Sequence, residues 1–321
     1  MTSRSRTLAC VTFVVRRAMT ALPMLVLAIL IAFTLTRLIP GDPVTMMMDG
    51  RNADPEFLRR LRDAGSIDQP FWRQFADYMA DLVHGNLGRS WRYGGMPVAT
   101  LIGDALPITL LLVSATVVVA VPVGIAAGLA SAHRSGTWLD GLITAGSVLA
   151  LAMPPVVLAT WLMMVVSTFW DPSGIGEFAG IADFVAPVLA LAVAPIGLIA
   201  RVTRTQILEV LGQDYVRCAR AKGLSEPAVL LRHALPNSLV AVSVVVGTMV
   251  GTVLTSTAVV ETVFNLPGLG QLAILSVLAR DYPLAGAIIL TFVLAQVGIS
   301  LAIDLFIITI DPRSRDPMVR S

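Results

Sequence analysis

The sequence predicts an all-α, polytopic membrane protein with six transmembrane helices, an extracytoplasmic segment after span one and a structured cytosolic loop between spans four and five. Three observations carry that prediction. Of 321 residues 56% are apolar and only 14% charged, against roughly 45–50% and about 25% in soluble domains, so too little polar surface exists to wet a soluble globule. Charge-free windows long enough to cross a ~30 Å hydrocarbon core recur along the chain. The basic residues between them fall on alternating sides, as short cytosolic loops require. The 23 basic and 21 acidic residues nearly cancel, which leaves no single-sign field for nucleic acid, and composition also excludes fibrous and disordered classes.

In order, the expected pieces are a cytosolic N-terminus (1–17), span one (18–36), an extracytoplasmic segment (37–104), and a core (105–321). Within the core, spans lie near 105–133, 141–170, 184–200, 233–260 and 282–310, with a loop at 201–232 between the third and fourth of these. A further charge-free window, 262–279, contains Asn265, Pro267, Gly268, Gly270 and Gln271. Lipid offers unpaired backbone groups no partners, so this window reads as a loop and a short interfacial or re-entrant helix. Six spans put both termini on the cytosolic side, where the short pieces then hold 14 basic residues and the outer short loops only Arg280. The 37–104 segment has eight arginines but is long enough to translocate regardless of charge.

Arg16 and Arg17 precede an apolar run of 19 residues, longer than a signal h-region of roughly 7–15, and no small-x-small cleavage site follows before Arg37; span one is expected to be retained. Cys10 and Cys218 fall on cytosolic pieces without metal spacing, so neither is assigned a role.

Inside 37–104, Asp54-Pro55 and Gln69-Pro70 read as helix starts. Phe71, Phe75, Tyr78, Met79 and Leu82 share one face of the second helix, which predicts packing on the outer ends of the spans. The 201–232 loop carries more local design than an ordinary connector. Ile207, Leu208, Leu211, Tyr215 and Cys218 recur at three- and four-residue steps, the period of an amphipathic helix, with Gly212 as its weak point. Lys222-Gly223 supplies a basic last turn and a left-handed stop; Ser225-Glu226-Pro227 supplies the start of a second helix. Helix, sharp turn and helix make a two-helix knob suited to a cytosolic partner.

Gly223 followed after nine residues by His233-Ala234-Leu235-Pro236 resembles the cytosolic coupling loop of ABC importer permeases. The wider GQDYVRCARAKGLSEPAVLLRHALPNSL is similar to the dipeptide/oligopeptide/nickel branch, specifically its B-type permease. Further matches are VRRAMTALPML at 15–25, LIPGDPV at 38–44, HGNLGRSWRYGGMPV at 84–98, VVETVFNLPGLGQL at 259–272 and Asp311-Pro312-Arg313. The sequence departs from the general pattern at Arg217-Cys218-Ala219, where Glu-Ala-Ala is usual, and at His233 in place of an aliphatic. The resemblance implies a bacterial plasma-membrane permease subunit of a binding-protein-dependent importer. Its implied partners are a homologous second permease, two cytosolic ATP-binding subunits that carry the ATP and Mg, an extracytoplasmic substrate-binding protein and the lipid bilayer. It assigns ATPase docking to Asp214, Tyr215, Arg217, Ala219, Lys222, Gly223, Leu224, Ser225, Leu235 and Pro236.

No catalytic, cofactor or metal site is expected in this chain. Its one lysine, Lys222, precedes Gly223, whereas a P-loop needs Lys followed by Ser or Thr. His84, His133 and His233 are scattered, and neither H-E-x-x-H nor G-x-S-x-G occurs. Asp304 is the carboxylate deep in a span; with Asp311 two turns on it reads as an inner-interface structural pair. Ser243, Gly247, Thr248, Gly251, Thr252 and Thr255 in span five are candidate path-lining residues. Gly247-x-x-x-Gly251 also permits close helix approach, and hydroxyls can bond across helices. Pro122, Pro154-Pro155, Pro187 and Pro195 suggest bent helices around a path.

Peptides and nickel both stay open as cargo under the resemblance. Between their end residues the first five spans contain no His, Asp, Glu or Cys, only weakly ligating methionines such as Met153, Met163, Met164 and Met249, and nickel would be helped by stronger ligands. Small hydroxyl and glycine positions suit a peptide better. An autonomous ion-coupled carrier is the alternative of another class, and it would want ionisable groups at mid-membrane.

Overall fold

A computed structural model describes residues 69–169 and 181–310, with scattered helical residues between Met19 and Thr34. Helix α1, Phe71–Val83, turns its predicted aromatic face inward. The Phe33 ring of the first apolar run lies 5.5 Å from Phe71 and 5.4 Å from both Phe75 and Tyr78, centroid to centroid. Gly85, Gly88, Gly94 and Gly95 then take positive φ, folding 84–97 into a tight loop closed by an Arg89–Pro97 bridge. The loop is pinned from a distance. Buried Ser90 donates its hydroxyl to the Asp281 carboxylate, which also accepts the Arg92 N–H at 3.2 Å.

Helix α2, Val98–His133, has 36 residues and is apolar all round, as a span must be. The expected single span over 141–170 is instead two 15-residue helices, α3 (Trp138–Ala152) and α4 (Pro155–Phe169), bent by 98° at the break. Pro154 and Pro155 have no N–H to continue the ladder, and the residue before Pro154 is pushed out of the helical region. Met153 accordingly sits at ψ 116°, extended.

Helix α5, Val185–Leu211, runs past the expected end at 200 because nothing breaks it before Gly212. Two short helices follow, α6 (Asp214–Ala221) and α7 (Glu226–Val229). A π-helical turn, Leu230–Ala234, leads into α8 (Leu235–Val263). The 262–279 window ends in a short apolar helix, α9 (Leu269–Leu278), and α10 (Tyr282–Ile310) closes the described chain. Among the described residues four helical stretches are long and apolar enough to cross a membrane, or five if the bent pair makes one crossing. The expected span at 18–36 falls mostly outside the described residues, as do the Asp304 side chain and Asp311.

Helix α5 is the hub, packed against α2, α3, α4 and α8. In lipid, tail carbon is as apolar as leucine, so association depends on close packing rather than on water exclusion. A Cβ on Gly128 would meet the Ala200 carbonyl at 2.5 Å, and one on Gly197 the Ser147 carbonyl at 2.8 Å. Those two glycines let α2 and α3 lie directly on the hub. Val113, Ala120, Ala192, Ile199, Val250 and Leu254 fill the centre of the bundle.

Candidate functional site

At one polar end of the bundle α6, the turn after it and α7 stand out as the knob. The amphipathic reading of 207–218 is corrected in one respect: Gly212-Gln213 breaks the helix, so the apolar face does not run straight through. Ile207 is buried on α5, but on α6 the inward residues are Val216 and Ala219, while Tyr215 and Cys218 are exposed. A two-residue break rotates the following helix, and that shifts which residues meet the bundle. Below the knob Ala132, Ile207, Leu230 and Ala234 form its base.

Gly223 has φ +84°, the left-handed stop that the sequence predicts, and a side chain there would meet nothing within 4 Å. Ser225 takes the extended N-cap backbone without a side-chain cap hydrogen bond. Arg220 crosses the turn and donates Nε to Glu226 Oε1 at 2.7 Å and Nη2 to Oε2 at 3.1 Å. That hydrogen-bonded guanidinium holds the Glu226 carboxyl, which lies ahead of the apolar stretch, below its ordinary range. Periodicity could not reveal this clamp, since its partners sit on different helices. Of the expected docking residues, Asp214, Tyr215, Arg217, Lys222, Gly223, Ser225 and Pro236 are exposed, Leu224 and Leu235 half-buried, and Ala219 buried. The turn residues Lys222, Gly223 and Ser225 are thus open to solvent, and Ala219 is packed inward on α6. Arg217 reaches Asp214 at 3.4 Å with both side chains largely in solvent, a pair of little consequence.

The six candidate path residues on α8 divide by face. Thr248, Thr252 and Thr255 are exposed with Val244 and Val259 on one stripe; Gly247 and Gly251 are buried, and Ser243 is half-buried. Gly251 receives the Gln296 side chain of α10, whose amide oxygen lies 2.2 Å from where a Cβ would stand. The hydroxyls satisfy themselves within the helix: Ser243, Thr248, Thr252 and Thr255 donate to the carbonyls of Val240, Val245, Thr248 and Gly251. No interhelical hydroxyl bond forms from these residues, and the exposed face is smooth and uncharged.

At the far end of α8 stands a residue that the charge-free windows skipped, Glu261. Its carboxylate is buried and accepts Thr109 Oγ1 at 2.7 Å on one oxygen, and the N–H groups of Gly270 and Gln271 at 2.7 and 3.0 Å on the other. Thr109 in turn accepts the Leu269 N–H at 2.8 Å. Together they cap the start of α9 and satisfy its orphan donors. A Cβ on Gly270 would stand 2.3 Å from the Ala258 Cα, which explains the glycine in Leu266-Pro267-Gly268-Leu269-Gly270. A lone carboxylate between two apolar windows, followed by that glycine-rich turn, was the available signal.

Residues 120–316 match the model of the binding-protein-dependent transport system inner membrane component, and 10–113 match the N-terminal model of the same component. The chain belongs to that family. Similar relatives include the dipeptide transport system permease of Lactococcus lactis, 31% identical over 308 residues with 95% of this chain and 99% of that protein covered. The oligopeptide permease of Bacillus subtilis is 34% identical, with 94% and 98% covered. The glutathione permease of Escherichia coli is 35% identical over the same shares. Among solved structures, an amino acid ABC transporter matches the permease at TM-score 0.52 and 19% identity, covering 65% of this chain and 93% of that one. An inward-facing methionine ABC transporter matches it at 0.51 and 17%, covering 67% and 96%. The fold is thus shared with these two transporter structures.

Proposed function

We propose that this permease is one of two homologous membrane subunits in an ATP-driven, binding-protein-dependent importer of di- or oligopeptides in the bacterial plasma membrane. Its knob docks a cytosolic ATPase, and both termini lie on the cytosolic side. ATP and Mg belong to two ATPase partners, and an extracytoplasmic binding protein delivers the cargo. Closure of the ATPases displaces the knob, and helices joined to it alternate between inward and outward openings. The observation that carries this reading is the exposed turn at Lys222-Gly223-Leu224-Ser225, set on a base packed into the bundle hub. Sequence similarity to dipeptide, oligopeptide and glutathione permeases supports a peptide cargo. The uncharged threonine face of α8 is suited to line a path beside the second subunit, because weak polar contacts tolerate many peptide sequences.

The test is the complete transporter in liposomes with its cognate binding protein. Short peptides are expected to stimulate ATP hydrolysis, and free nickel is not. Stimulation by nickel or its chelate with no response to a peptide library would overturn the cargo assignment and leave the family untouched.

A further inference from the structure

The knob and the bent pair α3–α4 are both joined to the hub helix α5. The knob hangs from α5 at Gly212, and two of the contacts between α5 and α3 stand out. One is the van der Waals contact of Gly197 with Ser147 and Ala150. The other is directional. Arg204 on α5 donates Nε to Asp140 Oδ1 at 2.6 Å and Nη2 to Oδ2 at 2.8 Å. The same carboxylate accepts the Ser131 hydroxyl of α2 at 2.5 Å and the Gly136 N–H of the α2–α3 turn at 3.0 Å.

Asp140 is 5% exposed and therefore differs from the solvent-washed pairs of the knob. A bidentate pair on a buried carboxylate holds both distance and orientation even with its guanidinium 29% exposed, whereas packed apolar surfaces can slide. Four hydrogen bonds on one carboxylate join the end of α2, the 134–137 turn, the start of α3 and the last turns of α5. Arg204 lies two turns before Gly212, which places this junction near the knob, and Asp140 lies on α3 ahead of the 98° bend.

We infer that Asp140 and Arg204 are positioning residues for transport: their pair locks α3 to α5, so that movement of the knob is passed to the bent pair. This inference rests on the reading of the chain as an importer permease. Nothing in it requires either residue to touch an ATPase or cargo.

The experiment uses the whole transporter in liposomes, with uptake of a defined mixture of labelled di- and tripeptides and ATP hydrolysis measured on the same vesicles. In Asp140→Asn and Arg204→Gln the ATPases should co-purify at the normal ratio and continue to hydrolyse ATP. Peptide imported per ATP should fall about fivefold, the scale of an ordinary coupling interaction. The double variant should be no worse than either single one, since both remove one pair. Arg204→Lys, which keeps a cation beside the buried carboxylate, should lie between; it carries the test alone if the neutral variants fail to assemble. Unchanged import per ATP in Arg204→Lys and in any assembled neutral variant, or additive losses in the double variant, would overturn the inference. Failure of the unaltered chain to retain ATPases would instead refute the permease reading on which it rests.

Discussion

At the residue scale, Gly223 and Glu261 show two ways in which one position constrains its neighbourhood. Gly223 meets no neighbour but has φ +84°, so its requirement is conformational. Gly223→Val forces a β-branched side chain into a region that costs of order 1–3 kcal/mol, while Gly223→Asn adopts it more readily. In the assembled transporter the valine variant is expected to lose ATPase retention or peptide-stimulated hydrolysis, and the asparagine variant to keep most of both; equal behaviour would contradict the left-handed stop. Glu261 is constrained by partners instead. Gln at 261 can offer its carbonyl to the Gly270 and Gln271 N–H groups and its amide to Thr109, whereas Ala leaves those donors unmatched in a buried place. Each abandoned donor costs about 1–3 kcal/mol. Glu261→Ala should sharply lower the thermal midpoint of the detergent-solubilised protein, and Glu261→Gln should change it little.

At the scale of elements, what matters is what lies opposite a contact. A Cβ on Gly128 or Gly270 would strike backbone, the Ala200 carbonyl and the Ala258 Cα, whereas one on Gly251 would strike only the far end of Gln296. Backbone cannot step aside, but a glutamine side chain can. Alanine at 128 or 270 is therefore expected to destabilise by roughly 1–3 kcal/mol, and alanine at 251 by much less, measured by heat-induced aggregation of the purified chain. The α6–α7 clamp is a weaker joint, since Arg220 and Glu226 are 39% and 52% exposed; such pairs contribute under ~1 kcal/mol. Because the Glu226 carboxyl is held low, the clamp's contribution is present at neutral pH. It is lost only as the pH falls through a value below the ordinary carboxylate range. Arg220→Ala should thus leave ATPase retention nearly intact at neutral pH, in contrast to Gly223→Val.

At the scale of the whole molecule, the proposed topology places the knob and the Glu261 end on opposite sides of the membrane. A cysteine at the exposed Pro267 should react with an impermeant reagent from outside, and one at Ser225 only after permeabilisation; outside labelling at Ser225 would reverse the orientation. The sequence by itself determined the membrane class, because composition and the length of charge-free windows are properties of the chain alone. It also determined the left-handed stop at Gly223 and the inward aromatic face of α1, which depend on backbone conformation and on helical period over a few residues. The break at Gly212 was legible only as a weakness; how far it would rotate Val216 and Ala219 into the bundle depended on what α6 packs against. Pro154-Pro155 signalled a bend within 141–170, but only the tertiary structure decided that it reaches 98°, and that Thr248, Thr252 and Thr255 share a face from which Gly251 is turned away. It alone joined Asp140 to Arg204 across 64 residues and Thr109 to Glu261 across 152. Side-chain partners at such separations leave no periodic trace in a sequence, since they are chosen by which helices approach closely and at what depth.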